Sequence, residues 1–234
     1  MLRKIKEYLK KRLGVPSIPR RMERLSANGF KPDLIFDVGA YQGDFAKICN
    51  QIWPKAKIAC FEAQENKIPV LQEFAACIPS LTVYQTLLGA QDSDNVAFNE
   101  AETASSVLLE HIPQNFPVKH YKMTTVDNVV STYFSGQCPS LLKLDTQGYE
   151  LEILKGSQKS LAGMEVILVE VNLIDIHQNV PLLAEITHWL NEKGWAAYDI
   201  CDLTRRPLDQ ALWQADFLFV PYSSILRADK RWSA

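Results

Sequence analysis

Residues 34 to 45, LIFDVGAYQGDF, constrain the chain most, because an apolar run there meets an acid and passes through two glycines into an amphipathic stretch. Leu34, Ile35, Phe36 and Val38 suit a parallel strand covered on both faces. Asp37 interrupts that strand near its carboxyl end. Gly39 and Gly43 bracket a tight turn, after which Phe45, Ala46, Ile48, Cys49, Ile52 and Trp53 recur at helical spacing. In an open α/β sheet, the crevice at such a strand end is where ligands bind. The turn reads Asp-x-Gly-x-x-x-Gly rather than GxGxxG, which makes it a poor pyrophosphate cradle and argues against a NAD-dependent oxidoreductase. It suits a ligand that joins an adenosine to an amino-acid tail, since glycine backbone admits close approach and a carboxylate accepts hydrogen bonds from an ammonium group. About 20 residues on, where a ribose-binding acid is expected, the strand IACFE ends in Glu62, whose carboxylate has the capacity to accept both ribose hydroxyls.

From Leu34 onward strands and helices alternate. Strands are expected near 34–38, 57–61, 82–88, 141–145, 165–171, 196–201 and 215–220, and helices near 43–53, 64–77, 126–134, 149–161 and 182–193, the last closed by Gly194. Such repetition predicts a mainly parallel sheet with helices on both faces. Between Gly89 and Thr125 the rhythm breaks. NVAFNE and SSVLLE read there as two short strands of an antiparallel insertion over the ligand edge.

A chain of 234 residues with 47% hydrophobic and 22% charged residues suits one sizeable α/β domain with a short appendage. Five scattered cysteines without CxxC spacing favour reduced core thiols and a cytoplasmic protein over disulfides or a zinc site. The net charge of −2 hides an asymmetry: residues 1–31 carry +8 and the rest −10. In MLRKIKEYLKKRLG, Leu2, Ile5, Leu9 and Leu13 mark a basic amphipathic helix, with VPSIPRR at 15–21 as the linker that follows; residues 1–30 are thus expected to be an appendage to a domain spanning 31–234. The apolar stripe is too short and too charged for a signal peptide or membrane span. Packing on the domain is the expectation, peripheral contact with an anionic membrane the alternative. An acidic body, and the absence of a base-flipping NPPY-like loop where LDTQGYE stands, argue against a nucleic-acid partner.

A second centre lies in LLKLDTQGYELEILKGS, residues 141–157. An apolar strand ends in Asp145, Gly148 turns the chain, and Glu150 and Glu152 open a helix where they favour its dipole. The strand VILVEVN carries Glu170 at its carboxyl end, and His177 follows seven residues later. His111 and His120, in the insertion, are weaker candidates.

DVGAYQGDF, FEA, LKLDTQGYELEILKGS and ILVEV, in this order and spacing, resemble the FkbM-type methyltransferase family. The resemblance implies a Rossmann-like class I fold with a seven-stranded sheet, and S-adenosylmethionine as the methyl donor. It implies an O-methyltransferase acting on a hydroxyl of a sugar, glycan or polyketide-like small molecule; the alternative is an inactive nucleotide-binding protein of the same fold. Carried onto this chain, Asp37, Gly39 and Gly43, with Ala40 and Tyr41 between them, would hold the methionine end of the cofactor, and Glu62 with Ala63 its ribose. The family usually has Asn at position 41, Pro at 63, Glu at 147 and Ala at 149, where this chain has Tyr41, Ala63, Gln147 and Tyr149. A hydroxyl acceptor needs a base or a cation to lower its proton affinity. Asp145 is the candidate base, Glu170 its partner and His177 the alternative base; Asp145 and Glu170 are also the candidate ligands of a divalent metal such as magnesium.

Overall fold

The computed structural model describes residues 14–112 and 114–233. The basic amphipathic stretch therefore lies outside the described residues, except for Gly14. In chain order the elements are α1 (Ile18–Ala27), β1 (Leu34–Val38), α2 (Asp44–Ile52), β2 (Lys57–Glu62), α3 (Ile68–Ala76), β3 (Leu81–Gln85), β4 (Leu87–Leu88), β5 (Ser93–Asn99), β6 (Val118–Thr124), α4 (Val126–Tyr133), β7 (Leu141–Leu144), α5 (Glu150–Lys155), β8 (Val166–Asn172), α6 (Leu183–Glu192), β9 (Trp195–Arg205) and β10 (Leu212–Pro221).

Seven strands form one sheet in the order β3-β2-β1-β7-β8-β10-β9, and β10 runs antiparallel to both its neighbours. β1, β7 and β8 are buried along their whole length, which is why their sequences read as continuous apolar runs. The period of two sends alternate side chains to opposite faces. Phe36 and Val38 join a core shared with α4, α5 and α6, whereas Ile35 joins a core shared with α1, α2 and α3. Asp37 lies two residues from Ile35 and so faces the α1–α3 layer. Lys143 lies two residues from Leu141 and faces the same way.

Two expectations change. The stretch read as a linker carries α1, which has a proline in its first turn and buries Met22 and Leu25 in the core beside β9. Two prolines had signalled a break, but a proline at a helix start costs no hydrogen bond. Within the insertion, β5 pairs antiparallel with β6, not with SSVLLE, whose Ser106 makes only an isolated bridge to Asn99. β6 escaped notice because VKHYKMT is polar for most of its length, and its one packed face, Tyr121 and Met123, is too short to read as a period. β4 pairs parallel with β6, completing a small mixed sheet.

Candidate functional site

A crevice of about 850 Å³, part of it open to solvent, lies at the carboxyl ends of β1, β2 and β7. Gly39, Tyr41, Glu62, Ala63, Asp145 and Glu170 line one side, and Phe98, Glu102, Ser105 and Val107 of the insertion line the other. The ends of β1 and β7 come so close that a Cβ on Gly39 would sit 1.8 Å from the Asp145 carbonyl oxygen, and Gly39 also has φ +72°. Only glycine satisfies both demands. Gly39 and Ala40 then donate their N–H groups to the Phe61 carbonyl at 3.0 and 3.1 Å, tying the turn to β2.

Glu62 is 5% exposed and held by main chain alone. Its Oε2 accepts the Tyr41 N–H at 2.8 Å and its Oε1 the Gln64 N–H at 2.9 Å. Each oxygen keeps a second lone pair for a ligand hydroxyl. Burial raises the Glu62 carboxyl above its ordinary value, and the backbone bonds oppose that rise. Above the turn, the Glu102 carboxylate pairs with Lys67 and accepts the Tyr41 hydroxyl at 3.0 Å, while the Lys67 ammonium lies 4.3 Å from the Tyr41 ring centroid. The insertion is thereby pinned to the cofactor turn.

Asp37 is placed otherwise than its expected contact with a cofactor ammonium requires. It is fully buried on the α1–α3 face, where Lys143 Nζ approaches its Oδ1 at 3.1 Å. That ammonium is aligned on the Gly39 carbonyl at 2.8 Å, so Asp37 has an ion-pair contact without an aligned hydrogen bond. Burial drives the Asp37 carboxyl upward, and Lys143 opposes it. Lys143 also lies 3.3 Å from Asp145 Oδ2. Burial disfavours its charge, but Asp145 and Asp37 together outweigh that and hold the lysine above its ordinary value. Ala40 and Gly43 likewise sit behind the crevice: Ala40 is buried in the α1–α3 core, and a Cβ on Gly43 would press on Leu71 and Phe74 at 3.2 Å.

At the other end of the crevice, the Asp145 side chain is 38% exposed. Gln147, at φ +55°, donates from Nε2 to Asp145 Oδ1 at 3.2 Å and to Glu170 Oε2 at 2.9 Å. Gln214 donates to the same Glu170 oxygen at 2.8 Å. Burial, then Asp145, Glu150 and Asp216, push the Glu170 carboxyl well above the ordinary range. Asp216, its cross-strand partner on β10, is pushed up to about 7, chiefly by burial and then by Asp145. Glu150 is more than a dipole partner. It is fully buried, and its Oε1 accepts from Thr146 N–H, Thr146 Oγ1 and Gly148 N–H, which fixes the Asp145 loop.

The structure thus brings Glu62, Asp145 and Glu170 to one crevice. His177 lines a separate cavity behind the insertion, His111 is exposed 4.0 Å from Asp175, and His120 lies exposed on β6. The magnesium expectation is not supported. Among the described residues no group of three His, Cys, Asp or Glu side chains is arranged to hold a metal ion, and between Asp145 and Glu170 stands the Gln147 amide, a donor to both. Sequence reasoning missed Lys143 and the Gln147–Gln214 pair. A lone lysine in the apolar strand LLKLD was the available signal, since a buried cation needs an anionic partner.

Residues 37–195 match the family described as the methyltransferase FkbM domain. The chain belongs to this family. Among curated proteins, the hexuronic acid methyltransferase AglP of Haloferax volcanii is 26% identical over 156 residues, which cover 65% of this chain and 62% of that protein. The match thus spans less than two thirds of that relative. Among solved structures, methyltransferase FkbM from Methylobacillus flagellatus KT aligns with a TM-score of 0.54 at 14% identity, covering 80% of this chain and 43% of that one. This likeness shows the fold: a Rossmann-like class I methyltransferase sheet, mainly parallel and seven-stranded, with helices on both faces and a small insertion that pairs antiparallel at β5 and β6. Among the described residues no helix is long and apolar enough to cross a membrane.

Proposed function

We propose that this chain is an S-adenosylmethionine-dependent O-methyltransferase whose acceptor is a sugar or glycan hydroxyl. The observation that carries the reading is the crevice with two carboxylates of opposite character: Glu62, fixed by two backbone N–H groups, and Asp145, half open to solvent. The family match and the sugar substrate named for the archaeal relative support it. The cofactor fits the donor set, because Glu62 retains acceptor capacity toward vicinal ribose hydroxyls, and Ala63, Thr86 and Leu87 beyond it offer a mostly apolar end for the base. When bound, S-adenosylmethionine supplies a methyl group on a sulfonium, open to in-line displacement.

The chain's residues then have distinct tasks. Glu62 binds and orients, and Gly39 leaves the turn open. Asp37 acts through Lys143, whose ammonium draws the Gly39 carbonyl and Asp145 into one arrangement. Asp145 accepts the proton of the acceptor hydroxyl as it attacks. Burial and its acidic neighbours push the Glu170 carboxyl well above the usual range, and Gln147 couples its position to Asp145. The insertion shields the reaction from water. Because α1 buries side chains in the core, the catalytic unit we propose begins at Ile18 rather than residue 31.

Calorimetry with S-adenosylmethionine, S-adenosylhomocysteine and NAD tests the reading. The two sulfur compounds should bind and NAD should not. A panel of methyl hexosides and hexuronides, analysed by mass spectrometry, should yield a mono-methylated product. Tight cofactor binding with no methylated product across sugar acceptors would leave a nucleotide-binding protein in its place.

A further inference from the structure

A second cavity lies behind the insertion, and methyl transfer makes no use of it. One segment is the wall between the two spaces: Phe98, Ser105 and Val107 face the crevice, whereas Asn99, Ala104 and Leu108 face the second cavity. That cavity encloses about 120 Å³ and opens to solvent at its mouth, room for part of one small ring rather than for a drug-sized ligand. Its floor is built by main-chain pairing of 109–111 with 176–178: the Gln178 N–H donates to the Leu109 carbonyl at 2.7 Å and the His111 N–H to the Ile176 carbonyl at 2.9 Å. On that floor sits His177, 2% exposed, with Nδ1 buried and without a hydrogen-bond partner among the described residues. Buried polar atoms are nearly always partnered, so an orphan in a cavity wall points to a missing ligand or water.

The lining decides the class of ligand. Among the described residues of the lining there is no lysine or arginine and the one charged group is the Glu110 carboxylate, so an anionic ligand meets repulsion and no counter-charge there. One carboxylate is too few for a hard cation, which takes six or more oxygens. A purely apolar ligand leaves the His177 Nδ1 unmatched, whereas Gln178 already donates its Nε2 to the Glu110 carbonyl at 3.1 Å and has its amide oxygen to offer. What remains is a neutral, hydroxyl-rich ring: carboxylate and amides pair with neighbouring hydroxyls, the imidazole meets one more, and the Phe116 ring packs the C–H face. Burial lowers the His177 pKa against the pull of Glu110, which favours the neutral imidazole with its one donor and one acceptor. We propose that this cavity binds one neutral hexose unit. The inference rests on the cavity's own residues and stands whether or not the crevice transfers methyl groups.

The test uses the full chain and saturation-transfer NMR with the methyl glycopyranosides of glucose, galactose and mannose, and methyl glucuronide as the anionic contrast. At least one neutral glycoside should bind, shift the His177 imidazole resonances, and outcompete the glucuronide by about tenfold, the effect of one good hydrogen bond. Gln114→Ala, at an exposed position, and His177→Phe should each weaken it by a similar factor. S-adenosylhomocysteine binding, measured in the same samples, reports the crevice separately and should not change. Absence of binding by every neutral glycoside, preference for the glucuronide, or undiminished binding by both folded variants would overturn the proposal. If His177→Phe does not fold, Gln114→Ala decides alone.

Discussion

The two ends of the crevice are held in different ways. Glu62 is buried and fixed by two main-chain N–H groups, so its position is as rigid as the turn between β1 and α2. Asp145 is more exposed and held by side chains, Lys143 on one oxygen and Gln147 on the other. Main-chain anchoring suits an invariant ligand such as a cofactor. Side-chain anchoring lets a single substitution retune charge and geometry, which suits an acceptor site. The family's usual Glu at position 147 would set three carboxylates together, whereas Gln147 here gives each neighbour a donor.

Substitutions at the two ends test this contrast. The largest effect is expected at Lys143. Lys143→Met leaves Asp37 buried without its cation, and breaking a buried pair costs about 3–5 kcal/mol. Urea denaturation should show that loss, and adding Asp37→Asn should recover part of it. An unchanged midpoint for Lys143→Met would mean the buried pair does not organise this end.

Asp145→Asn keeps shape and removes charge. We predict a rate loss of about 10² to 10⁴ on an identified acceptor. Full activity in this variant would remove Asp145 from the chemistry.

A smaller effect concerns pH. Asp216 is raised to about 7 in the folded chain and has a value of about 3.9 when unfolded. Between these values the native state binds more protons than the unfolded state, so Asp216 makes stability fall as pH rises from about 4 to about 7. Asp216→Asn should flatten that fall in melting temperature. Glu170, raised for the same reason, leaves a residual slope. The smallest effect is expected from deleting residues 1–13, which should leave cofactor affinity unchanged by calorimetry because the described lining of the crevice begins at Val38.

Much of the sheet was legible because its central strands are apolar on both faces, as in LIFDV and VILVEVN. Glu62 was legible too, since strand, turn and spacing all point to it. The direction of Asp37 was not read, although the parity was available: Ile35 and Asp37 share a face. What no pattern revealed was contact across the insertion. Lys67, Glu102 and Tyr41 come together from three separate segments, and residues so far apart along the chain share no period. His177 is a related case, because it lies five residues beyond the end of β8, and that loop carries it behind the wall rather than into the crevice.

The most direct test of the central contrast is parallel calorimetry of S-adenosylhomocysteine with the parent chain, Glu62→Ala and Asp145→Asn. Glu62→Ala should lose about 1.5–3 kcal/mol of binding, the value of hydrogen bonds to a charged group, while Asp145→Asn should bind within about twofold of the parent, well under 1 kcal/mol. Equal losses in the two variants, or a loss confined to Asp145→Asn, would contradict it.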